Sequence, residues 1–366
     1  MSSSNLSEIQ DSGGTRVLAV RSASALPPSF EARSRGLESV GVAPGAAPDF
    51  APTVVDASMT VIEVALANLR RYLSAWHLHE PGARLGEDPE ELHALRVAGR
   101  RLDAILRQFR SYLPPSILQI RPTLKAVLRA LGSARDLDVA LIELEAFSRG
   151  LPESERESVE PLRRHLVSEG GRARARMLSV LDSIWVQKNL QELAALLGTP
   201  SAAKQQSSPE LVLKAAPELI RRRYRKLRKG ADLLTPDSST EAYHEVRGRV
   251  KKLRYALEAV AVIYGKPADA MLRTLRRWQE TLGVQQDAAV ASRRLKAIAS
   301  APPNGIPPET IFLMGRLVEH YVNAAVRARK LSARGYGKVR GRWQRLRKNL
   351  KDSAASEAPE ISGSGT

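Results

Sequence analysis

The chain contains no cysteine. Disulfides, thiolate chemistry and Cys-ligated zinc are thereby excluded, and nothing argues for an oxidising compartment. Aromatic residues are scarce, at 5%. The apolar content rests on Leu, Ala and Val, a mixture that favours helices over sheets. No run approaches the ~20 consecutive apolar residues that a membrane-spanning helix needs. The first residues, Met1 to Glu8, lack the basic start and apolar stretch of a secretory signal, so cytoplasm is the expected location. Acidic residues are also in deficit: 39 Asp and Glu face 57 Lys and Arg, for a formal charge of +18. Such a field draws acidic partners and makes their binding salt-dependent. Arg outnumbers Lys, which suits phosphate, because a guanidinium grips oxyanions through paired hydrogen bonds. Nucleic acid, an acidic membrane surface and polyphosphate all stay open at this level.

Residues 1–52 are rich in Ser, Gly, Pro and Ala without sustained periodicity and read as a disordered leader. Residues 351–366 read as a tail of the same kind. Between them, residues 53–350 carry apolar residues at helical spacing. Breaks are expected near Pro81-Gly82, Pro114-Pro115, Leu151-Pro152, Gly198 to Pro209, Pro236, Lys266-Pro267 and Pro302 to Pro308. No convincing run of strand period appears, so the expected class is all-α.

An internal repeat organises this region. His93-Ala-Leu-Arg96 and His244-Glu-Val-Arg247 stand 151 positions apart, and the same shift aligns much more. It carries Arg70-Arg71 onto Arg221-Arg222, Arg100-Arg101-Leu102 onto Lys251-Lys252-Leu253, and Leu131-Gly132 onto Leu282-Gly283. Asp136 falls on Asp287 and Val139-Ala140 on Val290-Ala291. A chance pair of HxxR motifs is common; one ungapped register from about residue 65 to 140 is not. The chain reads as a duplicated helical unit, with repeats at about 53–197 and 210–350 and a linker over 198–209.

On a helical wheel advancing about 100° per residue, His93, Arg96, Arg100 and Arg107 share one stripe. Leu95, Leu102, Leu106 and Phe109 oppose it and make the expected core face. In the second copy His244, Arg247, Lys251 and Arg254 share the stripe, against Val246, Leu253, Leu257 and Val260. A basic face on an amphipathic helix is ordinarily just a solvated face. Here both histidines sit on the polar side, and the cluster recurs at matched positions, which a solvated surface does not require. Glu258 stands where the first copy has Arg107. Further basic positions match as well: Arg70, Arg71, Arg101 and Lys125 with Arg221, Arg222, Lys252 and Arg276. If two such units face each other, these side chains line a shared cleft. Asp136 and Asp287 lack the base, metal or nucleophile that catalysis needs. They are expected to hold an Arg or His rotamer or to cap the next helix.

These motifs resemble the CHAD domain, the conserved histidine α-helical domain. The first half of that pattern is matched by His93 to Leu102 and by Leu131-Gly132-Ser-Ala-Arg-Asp136. The second half is matched by His244 to Tyr255 and by Leu282-Gly283-Val-Gln-Gln-Asp287. The resemblance spans residues 55–350. It implies two pseudo-symmetric four-helix bundles around a basic groove or pore, and the binding of inorganic polyphosphate there. No module resembling the CYTH domain that precedes many such domains is present, so phosphatase chemistry is not carried over.

The expected function is therefore non-catalytic polyanion binding with no cofactor and no metal, and a role at polyphosphate granules is compatible with it. Bound phosphate is expected to favour imidazolium at His93 and His244. The rivals are a nucleic-acid-binding module, disfavoured by thinly spread aromatics (Tyr224, Tyr255, Trp278), and a metal-dependent phosphohydrolase, disfavoured by the lack of clustered ligands.

Overall fold

A computed structural model describes residue 50 and residues 54–199 and 210–355. The expected leader, apart from Phe50, lies outside the described residues, as do most of the linker and the tail beyond Ala355.

Helices start where the sequence supplies caps. Helix α1 (Val61–Leu85) opens on a capping box: the Thr60 hydroxyl accepts from the Glu63 N–H, and the Glu63 carboxylate accepts from the Thr60 N–H at 2.8 Å. Helix α2 (Pro89–Gln108) follows Asp88, whose carboxylate accepts from the Glu90 N–H at 2.8 Å. Pro89 occupies the first turn, where its missing N–H costs nothing. Next come the single turn α3 (Pro115–Leu118), the long α4 (Arg121–Arg149), the single turn α5 (Glu153–Arg156), α6 (Glu160–Asp182) and α7 (Ile184–Gly198). The second half holds α8 (Val212–Ala231), α9 (Thr240–Glu258), α10 (Ala261–Ser300) and α11 (Pro308–Ala355). Ser239, 151 positions after Asp88, caps α9 through the Ala242 N–H at 3.2 Å. The fold is all-α among the described residues, apart from one isolated antiparallel bridge between Thr60 and Leu211.

The same shift of 151 relates the helices. It carries Val61 onto Val212, Pro89 onto Thr240 and Arg149 onto Ser300, which are matching helix ends. The bridge obeys it too. Val61 N–H donates to the Glu210 carbonyl at 2.9 Å and Val212 N–H to the Met59 carbonyl at 3.0 Å, and the shift exchanges the two bonds. One difference stands out: the counterpart of the unbroken α11 is two helices, α6 and α7, divided at Ser183 in extended conformation (ψ 131°).

Packing follows the helical wheel. In the first half α1 lies on α2, α2 on α4, and α4 on α6; in the second α8 lies on α9, α9 on α10, and α10 on α11. Helices α2 and α9 also touch each other. All eight expected core positions, six on these two helices and Phe109 and Val260 just past their ends, are buried. Full burial of such a side chain contributes about 1.5–3 kcal/mol. The core is continuous and includes the fully buried Trp76 and Trp278.

One expected break is corrected, and another is found within a residue of its expected place. Pro81 does not stop α1, which continues to Leu85 and ends at Gly86 in the left-handed region (φ 76°). Pro81 has no N–H to give the His77 carbonyl, so α1 loses one internal backbone hydrogen bond there without ending. In α10 the kink falls at Gly265 (φ 53°, ψ −141°), two residues before Pro267. Glycine takes the strained turn, and proline then occupies the first turn of the continuing helix, where it is tolerated. At the far end α11 runs past residue 350 to Ala355. No helix among the described residues is long and apolar enough to cross a membrane.

Candidate anion-binding site

The contact of α2 with α9 gathers the two basic stripes. Arg96 lies against Gly132 of α4: a Cβ on that glycine would stand 3.7 Å from the guanidinium Nε and 3.8 Å from Nη2. Arg247 lies in the same way against Gly283 of α10, at 3.7 Å and 3.5 Å. The Nε of each arginine is shut off from water with no hydrogen-bond partner. A buried donor left without an acceptor costs about 1–3 kcal/mol, and more when it is charged. On both arginines it is the Nε alone that is buried without a partner among the described residues.

Lys251 completes the cluster. Burial, reinforced by Arg247, Arg100 and Arg96, pushes its pKa down to about 7. Burial and then Arg100 likewise lower the proton affinity of Arg96, though a guanidinium stays charged at neutral pH. Four cations from two helices thus feel one another. Against them stand two carboxylates: Asp136 acts on Arg96, and Asp287 acts on Arg247, Lys251 and Arg96. Asp287 keeps part of its carboxyl open to water, yet the protein around it raises its pKa, and the nearby cations only partly offset that. The positive surplus is therefore local as well as global. Tyr255 sits within electrostatic reach of both Arg96 and Arg247.

The matched histidines are not equivalent. His93 is half-buried, and burial, then Arg135, pushes its pKa below the usual imidazole value. Arg135 is itself buried and donates to the Pro89 carbonyl and the Glu90 carboxylate, both at 3.1 Å. His244 is exposed, with Nδ1 2.8 Å from Oε1 of Gln286, the residue that stands where the first half has Arg135. In the free protein, therefore, His93 resists protonation.

The remaining expected site residues fall into groups. Arg101, Arg254 and Arg276 converge on the buried carboxylate of Glu258, at 3.7, 3.7 and 3.3 Å. Arg101 also lies over the Tyr72 ring and Arg254 over the Tyr255 ring, at 5.5 and 4.8 Å. Exposed Arg107 pairs with Asp103 at 3.0 Å. Arg70 donates to the Leu197 carbonyl at 2.8 Å and ties α1 to α7. Arg71, Lys125 and Arg222 are exposed, and Arg221 is half-buried on α8. Lys252 is exposed and turns to the flank of α9 that faces α8. Asp136 and Asp287 lie inside α4 and α10, so neither caps a helix, and they act electrostatically on Arg96 and Arg247. Arg135, Gln286 and Glu258 shape the site and went unassigned in the sequence. The repeat alignment contains all three, but at positions where the halves differ. No group of three or more His, Asp or Glu side chains among the described residues is placed to hold a metal ion.

No curated protein matches the chain. Among solved structures it is similar to the crystal structure of the CHAD domain from the plant Ricinus communis. That likeness has 25% identity and a TM-score of 0.65, over 80% of this chain and 97% of that one. PptA from Streptomyces chartreusis shares the fold at 23% identity and a TM-score of 0.55, over 78% of this chain and 99% of that one. The family model for the CHAD domain matches residues 67–296, well over half of the sequence. With its paired arginine helices, this chain belongs to the CHAD domain family.

Proposed function

We propose that the chain binds inorganic polyphosphate, without catalysing its turnover, in a basic cleft where two pseudo-symmetric helical bundles face each other across α2 and α9. The exchanged backbone bonds at Thr60 and Leu211 support the pseudo-twofold, since an isologous contact repeats itself on both sides. The observation that carries the reading is the matched pair of half-buried arginines, Arg96 and Arg247, each with a buried Nε that has no partner among the described residues, beside Arg100 and Lys251. A linear polyphosphate carries about one charge per phosphate and no base edges. It supplies the acceptors these side chains lack, in charge-assisted hydrogen bonds.

Asp136 and Asp287 orient the arginines, and Tyr255 stands within electrostatic reach of both. A nucleic-acid module is the alternative; it would rest on the same cations, with Tyr255 as its one central stacking surface. Competition separates the two. Polyphosphate is expected to displace bound RNA at a phosphate concentration at least tenfold below that needed for the reverse, and free displacement by RNA would overturn the assignment. Orthophosphate release stimulated by magnesium or manganese would overturn the non-catalytic part.

A further inference from the structure

On the flank of α9 turned towards α8 lies a second basic cavity of about 280 Å³. Arg223, Lys226 and Lys229 of α8 line it, with Arg249 and Lys252 of α9. It is separate from the central stripe. At about 100° per residue, Arg249 and Lys252 stand roughly 140° and 80° round from His244, while Arg247 and Lys251 stand roughly 60° and 20° the other way.

The cavity is built rather than incidental. Arg249 donates to the Lys226 carbonyl at 3.0 Å and pairs with Glu245 at 2.5 Å, which joins the two helices and fixes one wall. No carboxylate lines the space. Arg223 is half-buried, its Nε is shut off from water without an acceptor, and its nearest charged neighbours, Arg222 and Arg107, repel it. Lys226, Lys229 and Lys252 enter no ion pair among the described residues.

The first half shows that the fold does not need these charges. The shift of 151 places Tyr72, Ala75, Leu78, Ala98 and Arg101 at the five positions, with Tyr72 and Ala98 buried. The same helix pair therefore closes with one cation in place of five. Clustered like charges oppose the compact state unless an anion neutralises them.

We propose that this cavity is a second anion site, present only in the second half, that takes a linear triphosphate group. Its volume lies just under the usual range of ligand pockets, about 300–1,000 Å³, enough for a few phosphates and too little for a wrapped chain. No aromatic side chain lines it, so it grips phosphates and leaves any attached sugar or base in water. Free oligophosphate and a nucleoside triphosphate present the same group.

The test is calorimetric titration of the full chain with tripolyphosphate, in a background of Arg96→Gln/Arg247→Gln that removes the central pair. One site is expected to remain, and adding Arg223→Gln/Lys226→Gln/Lys229→Gln is expected to weaken it at least tenfold. The triple variant in the wild-type background keeps its affinity for long-chain polyphosphate, which separates this site from the proposed cleft. Adenosine triphosphate should bind within about threefold of tripolyphosphate. Binding tenfold tighter would overturn the phosphate-only reading, and unchanged tripolyphosphate affinity in the triple variant would overturn the site. Should the triple variant fold poorly, the exposed single change Lys226→Gln is expected to cost about threefold, with recovery in Lys226→Arg.

Discussion

The two halves of the molecule agree where they face each other and diverge where they do not. Arg96 on Gly132 and Arg247 on Gly283 repeat one arrangement down to the buried Nε of each guanidinium. One helical turn away the agreement ends: His93 neighbours the cation Arg135, whereas His244 meets the neutral amide of Gln286. Further along, Asp103 with Arg107 in α2 becomes Arg254 with Glu258 in α9, the same i,i+4 pair with its charges exchanged. On the proposed reading the inner positions share the task of holding an anion, and the outer ones are free to specialise.

The equivalence of the halves is sharpened first by stability. Leu102 and Leu253 are fully buried at matched positions. Replacing either with Ala is expected to cost about 2–5 kcal/mol in denaturant unfolding. A loss confined to one variant would show that the halves do not share one cooperative core. Next, Arg96→Gln and Arg247→Gln are each expected to weaken polyphosphate binding by about tenfold, or ~1.4 kcal/mol. A large effect in one and none in the other would break the pairing.

Acid–base behaviour gives a smaller effect with a definite sign. In the free protein Lys251 loses its proton around pH 7. A bound anion raises that pKa, so binding takes up a proton. The gain is complete below pH 7 and is lost as pH rises through the raised, ligand-bound value. Affinity is therefore expected to increase by up to about tenfold from pH 8 to pH 6 and to become flat in Lys251→Met. The same gain in Lys251→Met, vanishing instead in His93→Ala, would return the dependence to histidine. Stability of the free protein runs the other way: the unfolded chain binds the extra proton between about pH 7 and 10, so stability rises with pH across that window.

The smallest effect concerns the outer positions. Arg135→Gln gives His93 the neighbour that His244 has, and an NMR titration is expected to show the His93 pKa move up. No movement would mean that the cation next to His93 is not what distinguishes the two histidines.

Much of this was legible in the sequence because both signals are local. Helical period and the shift of 151 located the core faces, the helix ends and the arginine pair. What escaped depended on contacts across helices. Arg135 and Gln286 differ between the halves, so a search for matched residues passed over both. Glu258 was noticed only as a replacement for Arg107, yet it holds Arg101, Arg254 and Arg276 and withdraws them from the open stripe. The lowered pKa of Lys251 arises first from burial and then from Arg247 of its own helix and Arg100 and Arg96 of α2, and no single-helix wheel contains it. Prolines mark bends only loosely. Pro81 lies within α1, which ends at Gly86, whereas the bend expected near Lys266-Pro267 is present at Gly265.

The measurement closest to the central claim is the titration of labelled long-chain polyphosphate at near-physiological salt, comparing wild type with Arg96→Gln/Arg247→Gln. The account predicts tight binding that weakens at least a hundredfold in the double variant, with the helical content and unfolding midpoint of the wild type retained. Equal affinity in the two proteins would contradict it and would leave the matched arginines as structural supports of the α2–α9 contact.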